Sequence, residues 1–120
     1  TYIKKTKNKK NEILESAMKN CLRPDLYRAK HEILPTVKNN KKIKKTTEFV
    51  GPICETTDTF LKLSKFQSIK EGDNIAILNT GAYGMSLSSN YNVRPMPIEI
   101  LIKNKKSSVI LKRQKLNEIT

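Results

Sequence analysis

Three small groups of residues in this chain carry side chains able to do chemistry. The first is Cys54 beside Glu55, delivered by a Gly-Pro turn in the stretch "GPICET" at 51–56. Thiols as a class ionise near about pH 8.5, so at neutral pH they keep a proton yet release it readily. A neighbouring carboxylate can receive an ammonium group in a charge-assisted hydrogen bond. The second group is Arg23 and Tyr27, four residues apart in "RPDLY". On a helix that spacing puts both on one face, where the Arg fork suits a carboxylate and the Tyr hydroxyl adds a neutral donor. The third is Tyr83, flanked by Gly81 and Gly84 in "GAYG", where small residues let backbone come close to a ligand. Each has an ordinary reading too. Cys54 can be a buried turn cysteine, Glu55 a solvated loop charge, Arg23 a helix-start charge beside a core Tyr27, and Tyr83 an aromatic plug at a bend.

Metal chemistry finds no support in the spacing. Cys21 and Cys54 form no metal-ligand pattern, and His31 is the lone histidine. Two cysteines leave one disulfide open on count alone, but no signal peptide precedes them, which points to a reducing compartment and a cytoplasmic setting. Cys21, between Asn20 and Leu22, reads as a small apolar side chain.

The 120 residues suffice for one small domain. Apolar residues make up 37% and aromatics 6%, lean for a self-sufficient core but too apolar for disorder. No run approaches the roughly 18 apolar residues of a membrane helix. The opening Thr1 rather than Met suggests a piece of a longer chain. The net charge of +13 is nearly all lysine, with arginine only at 23, 28, 94 and 113. The lysines gather in "KKTKNKK" (4–10), "KNNKKIKK" (38–45) and "KNKK" (103–106), tracts that read as solvated loops. A basic nucleic-acid-binding domain is the non-enzymic alternative, but neither a helix-turn-helix nor an aromatic RNA platform accompanies the charge.

The elements that must position these groups are mostly short strands. "TYIKK" and "NEILESAM" read as strands joined by a lysine-rich turn. "RPDLYRAKHEI" (23–33) reads as a short helix, with Pro24 at its start, Asp25 in the first turn and Leu26, Ala29, Lys30 and Ile33 at helical spacing, ended by Pro35. "TEFVGPICE" is a strand running into a turn. "TTDTFLKLSKF" is ambiguous, with Thr57 a candidate cap. "EGDNIAILN" is a turn and a buried strand, "TGAYGMSLSSNYN" a Gly- and Ser-rich bend, and "PIEILIKNKKSSVILKRQ" a hairpin turning at "KNKKSS". This rhythm fits a mostly β barrel or sandwich.

Four segments taken together in order, "RPDLY", "VGPICET", "GDNIAILNTGAYGMSLSSNYNVRP" (72–95) and "IEILI" (98–102), resemble the C-terminal part of the diaminopimelate decarboxylases. These belong to the alanine-racemase-like, pyridoxal-phosphate-dependent decarboxylases. The resemblance covers nearly the whole chain. It implies a C-terminal, Greek-key-like β barrel over 1–120, with one short helix near 23–33 and the N-terminal (β/α)8 barrel absent. The Schiff-base lysine and the glycine-rich phosphate site belong to that missing barrel. The implied reaction converts meso-2,6-diaminopimelate to L-lysine and carbon dioxide, with the fragment alone inactive.

The same resemblance implies roles for the residues singled out. Cys54 matches the proton donor that returns a proton to the α-carbon. Glu55 matches the carboxylate that holds the substrate's far ammonium. Arg23 and Tyr27 match the pair that binds the distal carboxylate, and Tyr83 a residue near both substrate and cofactor. A homodimer is implied, with Cys54 and Glu55 reaching the partner's cofactor. Glu after the Cys favours diaminopimelate; the ornithine and arginine type, often with Asp there, is the enzymic alternative. The chain departs from the family's "DAGMNDLIRP"-like pattern in "ESAMKNCLRP" (15–24), at Glu15, Ala17, Lys19 and Asn20, and carries Lys30 where Tyr is usual before His31. Lys19 is expected to add charge on the substrate side.

Overall fold

The computed structural model describes residues 2–5, 9–41 and 45–119. The turn between the first two strands and part of the 38–45 lysine tract lie outside the described residues. In chain order the elements are β1 (Tyr2–Lys5), β2 (Lys9–Ile13), α1 (Arg23–Tyr27), β3 (Ile33–Pro35), β4 (Thr46–Val50), β5 (Thr59–Leu63), β6 (Ile75–Ile77), β7 (Glu99–Lys103) and β8 (Lys106–Leu111). Short 3-10 turns cover Tyr91–Val93 and Leu116–Glu118. The mostly β class with one short helix is therefore as expected. The described strands pair into three sheets: β1-β2-β4-β5, β3-β6 and β7-β8.

β1 and β2 pair antiparallel, with Tyr2 opposite Ile13, but the second strand, expected over 11–18, runs over Lys9–Ile13. β2 and β4 pair parallel, Lys9 opposite Thr46 and Ile13 opposite Val50. A parallel pair needs a long crossover, and α1 and β3 are carried on that connection. β4 then turns back into β5 as an antiparallel pair with an irregularity at Phe49/Val50. A bulge there bends the strand and re-aims the next stretch of chain, which here is the Gly51-Pro52 turn.

Alternation on β4 sends Thr47 and Phe49 inward. Phe49, 0% exposed, meets Phe66 edge-on with centroids 4.9 Å apart. Around this pair pack Leu14, Cys21, Ile33, Phe60 and Ile69, with Leu61, Leu63, Ile75 and Ile77 at the margin. The core thus draws on both the four-stranded sheet and the β3-β6 pair. The inward positions of β2 are charged: Lys10 and Glu12 are buried as an ion pair, and Lys10 Nζ also donates to the Ile69 carbonyl at 3.3 Å. Lys10 is thus an exception to the solvated-loop reading of the lysine tracts; Lys38, Lys41, Lys103, Lys105 and Lys106 are exposed as expected.

The predicted helix over 23–33 is corrected to a single turn. Arg28 adopts a left-handed conformation at φ 53° and its N–H closes onto the Arg23 carbonyl, which stops the helix. Beyond it, His31 Nδ1 lies 2.9 Å from the Leu78 carbonyl, and Ile33–Pro35 pair with β6. Tertiary pairing overrides the helical spacing, and Leu26 is exposed. The ambiguous "TTDTFLKLSKF" contains β5, and the strand expected to be buried, β6, is only half-buried. The last hairpin turns on Asn104 and Lys105, φ 52° and 61°. Two left-handed residues are what a two-residue hairpin requires.

The bend between β4 and β5 is closed by Asp58, 2% exposed. Gly51 N donates to the Asp58 carbonyl at 2.8 Å, and Asp58 N to the Glu55 carbonyl at 3.2 Å. The Asp58 carboxylate accepts from Ile53 N at 2.9 Å and from Met18 N at 2.7 Å. It lies so close to Gly51 that a Cβ there would overlap Asp58 Oδ1 and Oδ2.

This packing can be tested at two positions. Phe49→Ala is expected to lower stability by about 3–5 kcal/mol, read from the urea midpoint, because it opens a cavity at the centre of the core. Gly51→Ala is expected to lower it by about 1–3 kcal/mol, through forced displacement of a buried carboxylate; an unchanged midpoint would show that Asp58 does not occupy that space.

Candidate functional site

The bend at 51–58 presents Cys54 and Glu55 to solvent while burying Gly51 and Asp58 beneath them. Both cysteines are free thiols: Cys54 is exposed and Cys21 buried. Cys21 belongs to the core, as its neighbours predicted. Burial pushes its thiol above the ordinary range, against the smaller opposing pull of the Arg23 charge and of a hydrogen bond to the Arg23 backbone. Cys54 is the accessible sulfur.

Glu55 has a partner on another loop. The Tyr91 hydroxyl donates to Glu55 Oε1 at 2.8 Å. That bond, then the carboxylate's charge, then slight desolvation, push the Tyr91 phenol upward. Tyr91 lies in the "SLSSNYN" stretch, to which the sequence attached no role. An aromatic with a hydroxyl inside a Ser/Asn-rich bend was the signal available; its partner lies 36 residues away and could not be read from local pattern.

The turn at 17–21 ties the two loops together. Met18 N bonds the Asp58 carboxylate on one side. On the other, Ser89 N donates to the Lys19 carbonyl at 3.0 Å and Ser88 Oγ to the Asn20 carbonyl at 3.2 Å. Lys19 Nζ donates to the Pro95 carbonyl at 2.9 Å and the Arg94 carbonyl at 3.3 Å. Lys19 is buried, and its ammonium is held below the usual lysine range first by that burial and then by the Arg94 charge. Lys19, expected to add charge on the substrate side, is a buried strut under the 94–95 backbone. Ala17 is fully buried at its departure from the family pattern. Asn20 Oδ1 accepts from Ala17 N at 3.3 Å and closes the same turn.

Arg23 and Tyr27 stand at the two ends of α1, as their spacing required. Arg23 is half-buried and Tyr27 is 62% exposed, so Tyr27 is not a core aromatic. α1 packs against β5, and Pro24 and Asp25 line a crevice with Thr57–Phe60 at the foot of the bend. Thr57, a candidate cap of a short turn, does lie in one, and its hydroxyl donates to the Met18 sulfur at 3.8 Å.

Tyr83 is 70% exposed and adopts φ 61°, left-handed for a bulky aromatic. Such a conformation costs of order 1–3 kcal/mol and persists where its surroundings impose it. Leu87 N and Ser86 Oγ both donate to its carbonyl, at 3.1 and 3.2 Å. Gly84 is required here, since a Cβ would overlap the Thr80 carbonyl oxygen, whereas Gly81 faces open space. The plug reading of Tyr83 fails on its exposure. Among the described residues Glu55 and Tyr91 are brought into contact, while Arg23, Tyr27 and Tyr83 share no hydrogen bond with Cys54 or Glu55. No cluster of three or more His, Cys, Asp or Glu among them could hold a metal. None of their helices is long and apolar enough to cross a membrane.

Known proteins share this fold. Residues 1–81 match the family model described as "Pyridoxal-dependent decarboxylase, C-terminal sheet domain". A diaminopimelate decarboxylase from Helicobacter pylori is 41% identical over 118 residues, covering 98% of this chain and 29% of that protein. The crystal structure of the H. pylori enzyme complexed with L-lysine superposes with a TM-score of 0.88 at 41% identity, over 98% of this chain and 28% of the other. That of diaminopimelate decarboxylase from M. jannaschi gives 0.91 at 30% identity, over 98% and 27%. The chain thus spans less than a third of the length of the relatives it matches. With two thirds of its residues on the family model and its whole fold shared with those structures, the chain belongs to the pyridoxal-dependent decarboxylases, as their C-terminal sheet domain.

Proposed function

We propose that this chain, residues 1–120, is the C-terminal domain of a diaminopimelate decarboxylase, converting meso-2,6-diaminopimelate to L-lysine and carbon dioxide. The observation that carries the reading is a solvent-facing thiol and carboxylate side by side on a bend braced by a buried Asp58. Similarity to relatives and structures of that name supports it. Two free thiols suit a reducing, cytoplasmic setting.

The residues fit pyridoxal phosphate as one wall of its site. A concavity of about 170 Å³ between Pro35–Val37 and Gly72–Asn74 carries Asp73 but no cation, and its lining does not fit a phosphate. The Schiff-base lysine and phosphate donors are assigned to the N-terminal barrel that the family resemblance implies. Tyr83 stands exposed to meet the cofactor and substrate. Pyridoxal phosphate, when bound, would take up the electron pair left on the α-carbon as carbon dioxide departs. Cys54 Sγ–H would then supply the proton that the α-carbon needs. Glu55 receives the ammonium at the substrate's far end. Arg23 grips the distal carboxylate with its fork, and Tyr27 adds a neutral donor. The active enzyme is a homodimer in which Cys54 and Glu55 serve the partner's cofactor, while Arg23, Tyr27 and Tyr83 serve their own; the exposure of Cys54, Glu55, Tyr27 and Tyr83 suits that arrangement.

In the full-length holoenzyme, Cys54→Ala is expected to slow turnover by about 10²–10⁴-fold, measured as lysine formation. Near-normal turnover would remove Cys54 from its role. Glu55→Asp is expected to shift kcat/KM away from diaminopimelate toward shorter diamino acids. A wild-type enzyme that already prefers ornithine would overturn the choice of substrate.

A further inference from the structure

The bond between Tyr91 and Glu55 is built from both sides. On the Tyr91 side, Tyr91 N rests on Ser89 Oγ at 3.3 Å, and Ser89 N is fixed to the Lys19 carbonyl. Asn90 Nδ2 donates to the Arg94 carbonyl at 3.0 Å and to Gln114 Oε1, which also accepts from Met96 N. Asn92 and Val93 come next, at φ 58° and 54°, left-handed residues that turn the chain sharply; for β-branched Val93 this is an unusual conformation, held by its anchored flanks. Buried Lys19 holds the far end through the Arg94 and Pro95 carbonyls. On the Glu55 side, the Glu55 carbonyl is fixed by Asp58 N. Each loop is thus anchored by its own bonds to the 17–21 turn, and the direct contact between them is a single hydroxyl on a single carboxylate oxygen.

We propose that Tyr91 is a positioning residue for substrate recognition: its hydroxyl holds the Glu55 side chain in one rotamer and leaves Oε2 open to the substrate's distal ammonium. This rests on the proposed role of Glu55 as the ammonium's receiver. A free glutamate carries three rotatable bonds, whose freezing opposes binding; a carboxylate already held in place binds a cation with less loss. The hydroxyl is the right donor for the task. It is neutral, so it does not cancel the carboxylate's charge, and it remains protonated because Glu55 itself opposes its ionisation. Tyr91 is exposed, so its ring is not needed to fill the core.

The test is a double-mutant cycle in the full-length holoenzyme with Tyr91→Phe, Glu55→Gln and both together, followed by steady-state decarboxylation of meso-diaminopimelate. Tyr91→Phe is expected to raise KM by about 3–10-fold, the worth of one hydrogen bond, with kcat within about twofold. In the Glu55→Gln background the same change is expected to move KM by less than about twofold, since the residue it acts through is gone. An active wild-type enzyme whose KM is unmoved by Tyr91→Phe, or moved equally in both backgrounds, overturns the positioning role alone. A fall in kcat without a rise in KM overturns it as well. A wild-type holoenzyme with no activity on diaminopimelate overturns the assignment of Glu55, and this proposal with it.

Discussion

A buried carboxylate on Asp58 fixes how the β4-β5 connection can fold. Its two oxygens take the amides of Ile53 and Met18, and its body presses on Gly51 so closely that only glycine fits. Hydrogen bonds from amides to an ionised group are stronger than those between neutral partners. The loop that carries Cys54 and Glu55 is therefore shaped from below. The residues facing solvent are free to be chosen for chemistry because the one beneath them supplies the structure.

The same economy holds at the second loop. Lys19 does for residues 88–95 what Asp58 does for 51–58, with opposite charge: an ammonium under a turn, satisfied by backbone carbonyls at Arg94 and Pro95. Met18 and Lys19 are adjacent in sequence, so one short turn at 17–21 governs both loops. Ala17, Lys19 and Asn20 reach the two loops through this turn. That is why departures from the family pattern are accommodated there: Ala17 is packed into the interior, and Lys19 and Asn20 make bonds of their own.

Much of the architecture was legible because it rests on local signals. The lysine-rich hairpin of β1 and β2, the strand into Gly51-Pro52, the Gly/Ser-rich bend and the closing hairpin all announce themselves by turn residues and alternation. Cys21 declared itself by its apolar surroundings. Illegible were features decided by distant partners. The helix predicted to reach residue 33 stops at Tyr27 because β6 claims Ile33–Pro35. Asp58 carried no signal within an ambiguous segment; its role comes from its amide partners at 18 and 53. Tyr91 gained meaning only from Glu55, 36 residues earlier. Lys10 read as solvated along with its tract, and only the pairing of β2 with β4 turns it inward.

The inward Lys10–Glu12 pair has a bearing on how β2 finds its place. Buried ion pairs add little net stability, since desolvation offsets most of the attraction. They do discriminate among alignments. If β2 slipped by one residue against β4, Lys9 and Asn11 would point inward instead, and the Lys10 ammonium would lose the Ile69 carbonyl. The outward Lys9–Glu48 pair, 3.7 Å apart, would be broken by the same slip. Two charge pairs on opposite faces of one strand thus work as a key cut on both edges, admitting a single registration of the parallel pair that carries Val50, and everything after it, to its proper height.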